Sequence, residues 1–269
     1  MLRTRILTAL IIAPAALAAI FLLSVEDFRW FILALVVLSG WEWANFLRLG
    51  ALGRWVYGLG LGIVLYVTGE LIEVWMVLSA LWWIAALILI LKFPNQAVFW
   101  KRREVSAILG LIALVPCGVS LIVLKSMPQA EALIALLLML IWSADIGAYF
   151  IGRRFGRRKL LPAVSPGKSV EGLLGGLVVT LSVGLMLTIL VAPIAEMSIS
   201  PVSWSLVFVL IALISVLGDL TLSMFKRIRG IKDSSQLLPG HGGILDRLDS
   251  LYSSAPLFVV LVIYLAGQA

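Results

Sequence analysis

Val105-Ser-Ala-Ile-Leu-Gly-Leu-Ile-Ala-Leu-Val-Pro-Cys-Gly-Val-Ser-Leu-Ile-Val-Leu124 runs for twenty residues without one charged side chain. A helix rises about 1.5 Å per residue, so the run covers about 30 Å, the thickness of a bilayer's hydrocarbon core. Eight further apolar blocks flank it, at 6–23, 28–47, 55–71, 74–91, 132–151, 173–197, 202–222 and 252–267. Lipid offers no water to backbone N–H and C=O groups, so each block must satisfy them internally as a helix. The predicted fold is all-α: a polytopic bundle of about nine transmembrane helices, one integral membrane domain over residues 1–269. Only a short turn between Glu70 and Glu73 separates the third block from the fourth, which leaves a re-entrant hairpin as an alternative to two crossings.

Composition agrees. Hydrophobic residues make up 62% of the chain and charged residues 13%, against about 25% charged in a soluble domain. The net charge of +7 would suggest nucleic acid in a soluble protein. Here the basic residues lie between apolar blocks, where they orient segments and meet anionic membrane lipids, so no nucleic-acid partner is expected. Cys117 is the one cysteine and lies in an apolar run, which excludes an intramolecular disulfide and a cysteine-based metal site.

Nine crossings place alternate loops on opposite sides. Of the 21 Lys and Arg residues, nineteen fall on the side of the N-terminus and only Arg29 and Lys125 on the other. This asymmetry puts the N-terminus in the cytoplasm and the C-terminus outside. The first block, with Arg3 and Arg5 before it and Ala13-Pro-Ala-Ala-Leu-Ala-Ala19 within it, has the look of a secretory signal peptide; it is read as an uncleaved anchor. Residues 1–130 form a hydrophobic scaffold. Residues 131–269 form the catalytic part, with two long polar cytoplasmic loops, 152–172 and 223–251, where function is expected. Gly58, Gly60 and Gly62 have no strand before them and read as helix packing rather than a dinucleotide loop, and Gly172 and Gly176 as another small-residue face.

Carboxylates in or near membrane segments are functional suspects. Asp145, Asp219, Asp246 and Asp249 all fall near one membrane face, a donor set suited to a hard divalent cation. If the eighth helix continues past Leu222, Asp219, Ser223 and Lys226 share one of its faces at i, i+4 and i+7, with Arg227 beside them. Asp246 and Asp249, three apart, share a face of the ninth. Mg²⁺ binds through a few carboxylates plus substrate phosphates, and Lys and Arg neutralise phosphate oxygens. Pro239-Gly-His-Gly-Gly243 allows tight turns and close backbone approach to phosphate. His241, the lone histidine, either binds substrate or orients this loop. Ser165-Pro-Gly-Lys-Ser169 is not a P-loop, since no glycine stands five residues before Gly167 and no strand precedes it. It supplies hydroxyl and lysine groups at a helix entrance instead. The Arg153–Lys159 run is either topogenic or attracts anionic headgroups.

Ser223-Met-Phe-Lys-Arg227, Lys232-Asp233 and Pro239-Gly-His-Gly-Gly-Ile-Leu-Asp-Arg-Leu-Asp249 together resemble the signature of phosphatidate cytidylyltransferases, also called CDP-diacylglycerol synthases, of bacterial type. Asp145-Ile-Gly-Ala-Tyr149 and Ser165-Pro-Gly-Lys-Ser169 are also similar to that family, with Ser169 where Thr is more usual. The likeness covers about residues 140–269. It implies CTP and phosphatidate as substrates and CDP-diacylglycerol and pyrophosphate as products. It also implies Mg²⁺, with room for a second metal or a monovalent cation such as K⁺, a bacterial inner membrane address, and a homodimer as a plausible assembly. The roles expected are metal ligation by Asp219 and Asp246, then Asp249 and Asp145; phosphate binding by Ser223, Lys226 and Arg227; and substrate contacts from Ser165, Lys168, His241 and Arg247. The competing readings are a CTP-dependent lipid kinase, with similar ingredients but different products, and a transporter, which the clustering of polar groups at one face opposes.

Overall fold

A computed structural model describes residues 2–95 and 100–267. Among them are nine long helices: α1 (Leu2–Leu22), α2 (Val25–Phe46), α3 (Ala51–Thr68), α4 (Ile72–Leu91), α5 (Arg103–Ser126), α6 (Ala130–Phe155), α7 (Val170–Leu190), then, after the short α8 (Ala192–Ala195), α9 (Pro201–Arg229) and α10 (Leu245–Ala266). Seven of these, from α3 to α7 and α9 to α10, are long and apolar enough to cross a membrane. The apolar part of α1 is shorter, Leu10–Leu22, and α2 is 22 residues long but carries Glu26, Asp27, Arg29 and Glu42. The all-α membrane bundle is borne out. The third and fourth blocks form continuous helices of 18 and 20 residues, each long enough for a full crossing.

Two details differ from the sequence reading. The 152–172 loop contains an antiparallel ribbon of β1 (Lys159–Leu161) and β2 (Ser165–Ser169), pairing Lys159 with Ser169 and Leu161 with Ser165. The seventh block stops short, at Leu190, because Pro193 restarts the chain as α8; proline has no N–H for a continuing helix and fits its first turn.

Local chemistry sets the helix ends. The Ser24 hydroxyl accepts the Asp27 N–H at 3.1 Å, and Glu26 and Asp27 face the positive end of α2. Ser169 accepts the Gly172 N–H at 3.1 Å to open α7. As expected, α9 continues past Leu222, and it ends at Gly230 in the left-handed region (φ 76°) with Lys226, Arg227 and Arg229 in its last turn.

In lipid, helices associate through close van der Waals contact rather than expulsion of water, so small residues mark the seams. A Cβ at Gly176 would lie 2.8 Å from the Ala144 carbonyl oxygen, one at Gly172 2.9 Å from that of Ala148, and one at Gly175 would overlap Ile151. The expected Gly172 and Gly176 packing face is therefore the α6–α7 seam. Gly58 and Gly62 likewise admit Val37 of α2, whereas Gly60 faces open space. At one end of the bundle, Trp43 of α2 packs on Phe225 of α9 with ring centroids 4.9 Å apart, and its indole N–H donates to the Ser106 carbonyl of α5 at 2.9 Å. This contact joins α2 and α5 to α9.

Gly175→Val should weaken the fold by about 1–3 kcal/mol through overpacking, lowering the unfolding temperature in detergent. Gly60→Ala, at an open position, should not weaken it, since alanine favours a helix over glycine by about 0.5–1 kcal/mol.

Candidate functional site

The site is built at the end of the bundle where α6 and α9 finish and α10 begins. On α9, Asp219 accepts a hydrogen bond from the Ser223 hydroxyl at 3.2 Å, as the four-residue spacing predicts. Its other oxygen pairs with Lys168 of β2 at 2.6 Å. The ribbon is pinned a second time by Arg227, whose Nε donates to the Val164 carbonyl at 3.2 Å. Asp145 of α6 lies within electrostatic reach of both Lys168 and Asp219. Asp249 of α10 lies within reach of Asp219, Lys226 and Lys168, and accepts the Ser250 N–H at 2.8 Å.

Asp246 is held from all sides. Its Oδ1 pairs with Lys226 at 2.8 Å. Its Oδ2 accepts the Ser234 N–H at 2.8 Å, the Ser234 hydroxyl at 2.9 Å and the Gly243 N–H at 3.0 Å. Lys226, one turn beyond Ser223 on α9, thus ties α9 to the start of α10. Of the expected residues, Asp145, Lys168, Asp219, Ser223, Lys226, Asp246 and Asp249 converge. Arg227 is occupied with the ribbon. Arg247 is exposed, and its guanidinium grips the His241 carbonyl through Nε at 3.0 Å and Nη2 at 2.6 Å, so it closes the glycine loop. His241 Nδ1 is buried and has no hydrogen-bond partner among the described residues. Ser165 stands at the far end of the ribbon from Ser169, paired with Leu161. No side-chain hydrogen bond joins it to the carboxylates among the described residues.

Beside the Lys168–Asp219 pair opens a cavity of about 660 Å³, lined by Asp145, Tyr149, Arg153, Lys159, Lys168 and Ser169 together with glycines. Three cations against one carboxylate give its lining an excess of positive charge. The Arg153–Lys159 run therefore contributes its two ends, Arg153 and Lys159, to the cavity wall. Backbone N–H groups of Arg157 and Arg158 are held by Glu171 at 3.0–3.2 Å, fixing the turn that leads from α6 into the ribbon.

Sequence reasoning missed the residue that organises the loop. Glu42, about one turn from the C-terminal end of α2, is fully buried. Its Oε1 accepts the Ser235 hydroxyl at 2.6 Å and the Ile244 N–H at 2.9 Å; its Oε2 accepts the Leu245 N–H at 2.7 Å and the Ser234 hydroxyl at 3.1 Å. The first N–H groups of a helix lack partners within it, and no side chain of its own N-cap serves α10. Glu42 caps it from another helix, about two hundred residues away in sequence. Ser234 lies within bonding distance of Glu42 and Asp246 alike, so its single hydroxyl proton is shared between them. The glycines follow from this: a Cβ at Gly243 would strike Ser234 and come within 2.5 Å of Glu42, while Gly240 and Gly242 adopt φ of 78° and 84°. The signal was present, since a carboxylate inside an apolar block is itself a functional suspect.

The sequence pattern described as the cytidylyltransferase family matches residues 3–265. The chain is 43% identical to a protein named phosphatidate cytidylyltransferase from Pseudomonas aeruginosa, over 97% of each chain. It is 37% identical to one of the same name from Haemophilus influenzae, over 96% of this chain and 97% of that one. A Staphylococcus saprophyticus protein of that name is 43% identical over 46% of each.

Glu42→Gln tests the cap. The amide keeps one acceptor oxygen, so whichever way it turns, either the Ile244 or the Leu245 N–H loses its partner. An unsatisfied buried N–H costs about 1–3 kcal/mol, and the variant should unfold at a lower temperature in detergent by that margin. An unchanged unfolding temperature would show that the cap contributes nothing to stability.

Proposed function

The chain belongs to the cytidylyltransferase family, and from that premise we propose that its anion pocket and carboxylate cluster transfer CMP from CTP to phosphatidate, yielding CDP-diacylglycerol and pyrophosphate. The observation that carries this reading is the Lys168–Asp219 pair at 2.6 Å, which joins the basic cavity to the carboxylates of α9 and α10. An oxygen of the phosphatidate phosphate attacks the α-phosphorus of CTP. The bond from that phosphorus to the β-phosphate bridging oxygen breaks, and its electrons leave with pyrophosphate. A phosphate monoester has a second pKa of about 6, so the attacking group is already anionic near neutrality and needs no strong base. The work left to the protein is alignment and neutralisation of charge.

Lys168, Arg153 and Lys159 give the cavity its attraction for phosphate oxygens. Ser223 and Lys226 stand on the same face of α9 as Asp219, and together they offer donors to whichever phosphates span the gap between the ribbon and α10. Arg227 holds the ribbon in place. The helical bundle keeps the lipid chains in the bilayer while its polar end admits the nucleotide. Nineteen of the 21 basic residues on one side and the bacterial sources of the relatives support a bacterial inner membrane address with this end facing the cytoplasm.

The donor set also fits Mg²⁺. Among the described residues no three carboxylate, imidazole or thiol groups form a ready-made metal cage, and Mg²⁺ does not need one, since it binds through one or two carboxylates plus water and substrate phosphates. Asp219 and Asp246 already attract a cation each, the ammonium groups of Lys168 and Lys226. Asp219, Asp246 and Asp249 would hold the ion, with Asp145 at the edge. When bound it would neutralise charge on the triphosphate.

With CTP labelled at the α-phosphate, label should enter lipid only when phosphatidate and Mg²⁺ are both present, with an equal release of pyrophosphate. Phosphorylation of a polyprenol from γ-labelled CTP instead would make the protein a lipid kinase. Asp219→Asn should lower CMP transfer by about a hundredfold or more while the protein still elutes and unfolds like the wild type. Near-normal turnover would remove Asp219 from the reaction.

A further inference from the structure

A second basic cavity lies away from the transfer site. It has a volume of about 270 Å³ and opens where α2 and α9 end and α5 begins. Four cations line it, Arg48, Lys101, Arg103 and Arg229, and no acidic residue does. None of the four forms an ion pair with a carboxylate among the described residues. Arg48, Lys101 and Arg103 are exposed, so their charge is available to a ligand. Apart from Ser106 the remaining lining is apolar and includes Phe46 and Phe225, the same rings that pack around Trp43.

We propose that this cavity binds the headgroup phosphate of an anionic phospholipid from the surrounding membrane. Basic pockets between transmembrane helices on the positively charged side of a membrane protein suit such headgroups. The apolar floor selects a lipid over a free phosphate ion, because it accepts the glycerol end of the molecule below the phosphate. The site is wired to the catalytic loop. Arg229 donates through Nε to the Asn45 carbonyl at 2.9 Å, and the Asn45 side chain donates to the Ser234 carbonyl at 2.9 Å. Ser234 is the residue that bridges Glu42 and Asp246. Drawing Arg229 toward a bound phosphate acts on this chain of contacts, and through it on Asp246. Anionic lipid is therefore a regulator of the enzyme as well as a ligand.

Native mass spectrometry of the full-length, delipidated protein tests the proposal with phosphatidylglycerol and phosphatidylcholine as probes. The wild type should retain phosphatidylglycerol in preference to phosphatidylcholine. The triple variant Arg48→Gln, Lys101→Gln, Arg103→Gln should retain it about a hundredfold more weakly, given the pull of a basic residue on anionic lipid. A control triple, Arg154→Gln, Arg157→Gln, Arg158→Gln, removes the same charge from the same end of the bundle and should bind as the wild type does. Equal losses in both triples would mean diffuse surface attraction and overturn the site. Displacement by inorganic phosphate as readily as by phosphatidylglycerol would overturn the lipid as its occupant. In phosphatidylcholine nanodiscs, added phosphatidylglycerol should change CMP transfer by the wild type and the control triple but not by the pocket triple; equal responses from all three would overturn the coupling. The lipid count does not depend on the transfer reaction, so failure of the catalytic reading would leave it intact.

Discussion

A carboxylate inside an apolar helix is tolerable only when donors surround it, and the structure depends on how Glu42 meets that requirement. Its partners are two serine hydroxyls and two backbone N–H groups, all from the loop between α9 and α10 and the first turn of α10. The need is mutual. The carboxylate cannot be left bare in α2, and the opening turn of α10 has no N-cap side chain of its own. Together they fix where Asp246 stands, since Ser234 joins the two carboxylates and Gly243 is small enough to let all three groups meet. Removing any member leaves a buried polar group without a partner.

The rest of the site extends from this point by short links. Lys226 connects Asp246 to α9. Asp219 connects α9 to the ribbon through Lys168, and Arg227 repeats that connection through Val164. The glycine seam between α6 and α7 lets the two helices approach closely enough to carry the ribbon over the end of α9. Each link joins a residue on a membrane helix to one in a polar loop. That is how a bundle with little polar surface holds a charged cluster at its rim.

Much of this was legible in the sequence. Apolar blocks of bilayer length gave the helices, because lipid leaves the backbone no other choice. The spacing of Asp219, Ser223 and Lys226 gave one face of α9, because a helix fixes which residues are neighbours. The ribbon was not legible. Ser165-Pro-Gly-Lys-Ser169 carries proline and glycine and little strand propensity, and its pairing with residues 159–161 is set by Lys168 reaching to Asp219 and by Arg227 of α9 reaching back to Val164. Nor were the partners of the basic residues. Arg247 reads as a substrate ligand beside Asp246, yet its guanidinium turns back to the His241 carbonyl. Glu42 was visible as a charge in the wrong place, but its partners are about two hundred residues distant, and only the fold brings them together.

Amide hydrogen exchange across residues 243–246 tests the central claim, that a carboxylate of α2 holds the start of α10 and with it Asp246. In the wild type, the Ile244 and Leu245 amides should exchange slowly, as amides engaged by a buried acceptor do. In Glu42→Gln, which keeps one acceptor oxygen, at least one of the two should exchange at the rate of an open loop while amides deeper in α10 stay protected. Equal protection in the two proteins would contradict the account, since it would mean that something other than Glu42 holds the loop.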